Sequence, residues 1–103
     1  SLLHGEAIAL GMILEAYLSQ RTLGLSNDEL MIITNHIKSL YDLPLIDPDD
    51  YQAIIELTKQ DKKNEHGNVR FVGLEQIGKA VYDVPLEAED ILKAFSYYEE
   101  IIL

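Results

Sequence analysis

One stretch limits how this chain can fold more than any other: residues 5–22 read as a helix that is apolar on nearly every side. Ala7, Ile8, Leu10, Met12, Ile13, Leu14, Tyr17 and Leu18 occupy most of the helical wheel, and Gly24 stands where a helix is ended. A helix with so little polar face has to be covered by neighbours on several sides, so it is expected at the centre of its domain. It is too short to span a membrane. The longest apolar run, residues 7–14 with Gly11 inside it, falls far short of the roughly 20 residues such a span requires.

The rest of the chain supplies neighbours. Ser26, Asn27, Asp28 and Glu29 have the spacing of a capping box, and Leu30, Ile33, Ile37 and Leu40 follow on one face, predicting a second, amphipathic helix up to Tyr41. Asp42, Leu43 and Pro44 break it. Asp47 and Pro48 then supply the cap and first position of a third helix, with Tyr51, Ile54, Ile55 and Thr58 as its inner face. Residues 61–68 are polar without an apolar period and read as a loop. Val69, Arg70, Phe71 and Val72 alternate weakly and are placed to pair with residues 79–82 across Ile77 and Gly78. After Pro85, the acidic residues Glu87, Glu89 and Asp90 suit the first turn of a last helix, which Ile91, Leu92, Phe95, Tyr98 and Ile102 continue to the end. The expected fold is mainly α: a helical bundle of about four helices with room for a short β-hairpin, all 103 residues in one domain.

Charge and cysteine content exclude several roles. With 18 acidic against 8 basic residues and a net charge of -10, neither a nucleic-acid backbone nor an anionic membrane surface is expected as the main partner. No cysteine is present, so His and carboxylate are the strong metal ligands to hand, and a reducing cytoplasm is the expected compartment. Position 1 is not Met and no basic region precedes an apolar stretch, so the chain reads as one cut from a longer protein. A piece cut just ahead of its most apolar helix is expected to expose apolar surface and to hide it by self-association as a homo-oligomer.

Chemistry can sit at two places. His4 opens the most apolar helix, with Gly5 and Glu6 after it; taken alone, it reads first as an ordinary first-turn residue, since a catalytic metal needs three protein ligands and no second partner is spaced to join it locally. Glu6 has a simple reading as a first-turn carboxylate favoured by the helix dipole. Lys62 and Lys63, between Asp61 and Asn64, are a tight basic pair in an acidic chain. They suit either a solvated loop or a pair of point charges reaching a phosphate or carboxylate. His36 and His66 read as surface residues.

Taken in order, Leu2-Leu3-His4-Gly5-Glu6-Ala7-Ile8-Ala9-Leu10-Gly11-Met12 resembles the HGEAVAxGM segment of the dehydroquinate synthase family. Downstream, Leu43-Pro44, then Asp61-Lys62-Lys63-Asn64, Gly67, Val69-Arg70-Phe71-Val72-Gly73-Leu74 and Ile77-Gly78-Lys79-Ala80 resemble further family blocks in the same order. The resemblance implies a fragment of a mostly helical C-terminal domain, with the NAD-binding N-terminal domain absent and the active site between the two. It implies that His4 is one ligand of a catalytic zinc, completed by a glutamate and a histidine from earlier in the family's chain. It implies that Lys62 and Lys63 are the pair from which the acidic groups of a phosphorylated sugar-acid substrate are contacted. The reaction implied is closure of a seven-carbon phosphorylated keto-acid sugar to 3-dehydroquinate, with phosphate eliminated. With the other ligands and any glycine-rich nucleotide turn lacking from these residues, the fragment alone is expected to bind neither NAD nor zinc and to be inactive. Two other readings remain: a related sugar-phosphate cyclase with the same cofactors, and a non-enzymatic helical interaction module.

Overall fold

The apolar stretch forms one long helix, α1 (His4–Leu23), and the chain is wrapped around it. The structure, a computed structural model, describes residues 4–52, 70–85 and 87–102. Ala9, Leu10 and Ile13 are fully buried, and Leu14, Ala16 and Leu18 nearly so, which places core residues around most of the helix circumference. Full burial of an aliphatic side chain of the size of Leu10 or Ile13 contributes about 1.5–3 kcal/mol, so this helix is the main source of core stability. It stops at Gly24, whose φ of +84 carries no Cβ penalty in glycine, and the Leu25 N–H turns back onto the Ser19 carbonyl at 3.3 Å.

The second helix, α2 (Asn27–Leu40), starts with the capping box expected from its sequence. The Glu29 N–H donates to Ser26 Oγ at 3.1 Å and the Ser26 N–H to Glu29 Oε1 at 3.4 Å, satisfying two donors that a helix start leaves over. Further on, Asp47 caps a short 3-10 turn, Pro48–Asp50, by accepting the Asp49 N–H at 3.0 Å. Tyr51 and Gln52 continue it helically. The other inner-face positions expected for a third helix, Ile54, Ile55 and Thr58, lie outside the described residues.

Strands β1 (Arg70–Gln76) and β2 (Lys79–Pro85) form an antiparallel hairpin around Ile77 and Gly78, the latter at φ +90. Both are longer than the sequence suggested. Gln76 faces Lys79, Gly73 faces Val81 and Phe71 faces Val84, so residues 73–76, which show no clean alternation, are strand rather than connection. Register shifts on either side of Gly73 and Leu74 explain why the period-two pattern is blurred there. The last helix, α3 (Ala88–Ile102), begins with Glu89 and Asp90 in its first turn, as expected.

Helix α3 and the hairpin close over α1 by different means. From α3, Ala94, Phe95 and Tyr98 join Leu10, Ile13 and Ile37 in the core. Tyr97 stacks on Tyr17 at 4.8 Å and shares a 2.8 Å hydrogen bond with the buried Thr34 of α2, while Arg21 of α1 pairs with Asp90 at 2.6 Å. The hairpin packs Leu74 and Val81 against the core and is held through its backbone as well. The Leu74 N–H donates to Ser19 Oγ at 2.9 Å, the Ile77 N–H donates to Glu29 Oε2 at 2.7 Å, and Ser19 itself donates to the Glu15 carbonyl at 2.7 Å. Glu29 therefore caps α2 and holds the hairpin turn with one carboxylate, and these bonds, that to Ile77 first, lower its pKa.

Glu15 lies on α1 between these covers. It is half-buried, and loss of solvation raises its pKa from 4.5 to about 7. The folded state thus holds a proton that the unfolded chain has released, so its contribution to stability falls as pH rises from about 4.5 to about 7. Replacing Glu15 by Gln should remove that slope and stabilise the protein at pH 8 by on the order of 1–3 kcal/mol, measured by urea unfolding at several pH values. In the core, Leu10→Ala should cost about 2–5 kcal/mol. By contrast, Leu45→Ala, at a residue 75% exposed, should stay within about 0.5 kcal/mol in the same assay.

Candidate functional site

The chemistry-bearing residues gather where α1 begins. His4 is its first helical residue and Glu6 lies in its first turn, where backbone N–H groups have no partner within the helix. Backbone position 4 stands one and two turns ahead of Ile8 and Met12 on one stripe of the helix. Those two are 42% and 43% exposed, although the rest of the helix around them is covered. The same stripe continues to Glu15 and Ser19, where the hairpin takes over through Leu74. Its start is therefore the part that the described residues leave open.

Tyr98 of α3 shares the core cluster with Ala9 and Leu10 of α1. It is fully buried, and its hydroxyl donates to the Pro44 carbonyl at 2.7 Å. Burial, with the negative charge of Glu6 added, pushes the phenol up to about 12, so it remains a protonated donor at any working pH. Close by, Tyr51 stacks on Phe95 with ring centroids 3.9 Å apart and donates to Glu99 Oε1 at 2.9 Å, a bond that raises its own pKa. Helix α3 thus binds both the start of α1 and segment 44–51. The Leu43-Pro44 pair gains a physical role from this: it ends α2's connection and presents a carbonyl to the core.

Not every expected residue can be placed. Lys62, Lys63 and His66 lie outside the described residues. His36 is exposed on α2, as expected of a surface residue. Among the described residues no group of three or more His, Asp or Glu is arranged to hold a metal ion. A single imidazole at the head of an open stripe suits one position of a zinc site and leaves the others to be filled from elsewhere. Glu15 is no candidate to complete it, since eleven residues of α-helix separate it from position 4 by about 16 Å. No helix among the described residues is long and apolar enough to cross a membrane.

Sequence reasoning missed two residues here. Glu15 carried a usable signal, because a carboxylate inside a helix apolar on nearly all sides has to lose water. Tyr98 fell at a core position of the last helix and was read as apolar; nothing in the chain announced that its hydroxyl would find a carbonyl 54 residues away.

Residues 1–64 match the family described as 3-dehydroquinate synthase C-terminal. A 3-dehydroquinate synthase of Parabacteroides distasonis is 34% identical over 99 residues, covering 96% of this chain and 28% of that protein. The corresponding enzymes of Psychrobacter cryohalolentis and Thermodesulfovibrio yellowstonii are 42% and 36% identical over 82 and 98 residues, which cover 79% and 93% of this chain. The chain spans only 22–28% of the length of these three relatives. No solved structure matches it. The chain belongs to the 3-dehydroquinate synthase C-terminal family.

Proposed function

We propose that this chain is the C-terminal part of a 3-dehydroquinate synthase, a phosphate-eliminating cyclase that converts 3-deoxy-D-arabino-heptulosonate 7-phosphate to 3-dehydroquinate. The observation that carries the reading is the place of His4 at the first position of α1, one and two turns ahead of the exposed Ile8 and Met12, in a chain whose relatives bear that enzyme's name. On this reading, the ligands that complete a zinc site and the residues that hold NAD come from parts of the full-length protein outside these residues. When bound, zinc would polarise the hydroxyl to be oxidised and NAD would take up and return the hydride. His4 supplies one imidazole nitrogen. Lys62 and Lys63 supply the positive charge that an anionic phosphorylated substrate needs from a protein whose net charge is -10.

Ile8 and Met12, exposed among the described residues, also support self-association of this chain on its own. Sedimentation of a clean monomer at high concentration would contradict that.

The full-length protein, supplied with NAD and zinc, should form 3-dehydroquinate. His4→Ala should abolish activity while circular dichroism shows the fold retained. Of Lys62→Ala and Lys63→Ala, at least one should raise KM by about ten- to a hundredfold, the worth of a charge-assisted hydrogen bond. A wild-type protein that closes a different sugar phosphate would move the reading to a related cyclase. Full activity in His4→Ala would overturn the ligand assignment.

A further inference from the structure

One buried polar contact near the proposed ligand has no part in the reaction as read above. The Tyr98 hydroxyl donates at 2.7 Å to the carbonyl of Pro44, joining the last helix to the segment that follows α2 across 54 residues. Tyr98 is 0% exposed and lies in the same cluster as Ala9 and Leu10, which pack one turn and more behind His4 and are also 0% exposed. Glu6, two residues after His4, is near enough for its charge to act on the phenol. The ring is thus in place to touch the inner side of α1 while its hydroxyl is tied to a fixed acceptor outside that helix.

We propose that Tyr98 is a positioning residue for the ligand-bearing end of α1: anchored on the Pro44 carbonyl, it sets the depth and rotation at which the first turn of α1 is held. The proposal rests on the reading of His4 as a zinc ligand. Tyr98 packs in the core like its neighbours, and the hydrogen bond at the end of its rigid ring adds a directional constraint to that packing. A metal ligand needs direction, because small rotations of a helix end displace the coordinating nitrogen.

Two variants of the full-length protein separate positioning from mere stability. Tyr98→Phe keeps the ring and its packing and removes only the hydroxyl. Thr34→Val removes an equally buried hydroxyl that bonds Tyr97 at 2.8 Å, in the core but away from the start of α1. Zinc affinity, read by competition with a chromogenic chelator, should fall on the order of tenfold or more in Tyr98→Phe, as for other residues that orient a ligand. It should stay at the wild-type value in Thr34→Val, while both variants unfold at similarly lowered urea midpoints. Wild-type zinc affinity in a folded Tyr98→Phe overturns the proposal, as does an equal loss in both variants. If His4→Ala leaves zinc binding unchanged, the ligand assignment on which the proposal rests is what has failed.

Discussion

A helix that is apolar around most of its circumference is stable in water only if other parts of the chain surround it, and in this protein that requirement organises everything else. Leu10, Ile13, Leu14 and Leu18 share one buried cluster with Ile37 of α2 and with Ala94, Phe95 and Tyr98 of α3, while Ala16 packs in a second with Leu25 and Leu30, so the elements around α1 have to take different sides. Among the described residues one stripe, through Ile8 and Met12, is left exposed, and backbone position 4 stands on it.

The covers differ in chemistry, and the difference has consequences. Helix α3 attaches by buried surface and aromatic stacking, with Tyr97 on Tyr17 and Phe95 on Tyr51, and its hydroxyls are used to reach across elements. The hairpin adds to the packing of Leu74 and Val81 against the core two backbone bonds to Ser19 and Glu29, side chains that already serve their own helices. Its Leu74 N–H meets α1 at Ser19, one turn beyond Glu15, whose carboxylate loses solvation by burial.

Helices and their caps were legible in the chain because their signals are local. The Ser26 to Glu29 box, the break at Asp42 to Pro44, the Asp47-Pro48 start and the acidic first turn of the last helix each depend on residues within a few positions of one another. Strand extent was not legible, because the irregular pairing at Gly73 and Leu74 destroys the alternation by which strands are read. The open stripe was only half legible: the apolar circumference said that α1 needed many neighbours, but which side would go without depends on how distant elements pack. The Tyr98 to Pro44 bond is of the same kind, set by tertiary approach rather than by spacing. Family membership came from the ordered motifs around His4, Leu43-Pro44 and Lys62-Lys63, a signal that neither charge nor periodicity carries.

The central claim is that α1 serves at once as the core of this domain and as the mount of one zinc ligand at its open end. Zinc K-edge absorption spectroscopy of the full-length protein, comparing the wild type with His4→Ala, tests it most directly. The account predicts a mixed nitrogen and oxygen shell in the wild type that loses one imidazole from its scattering pattern in the variant. An unchanged coordination shell in a folded His4→Ala protein would contradict it.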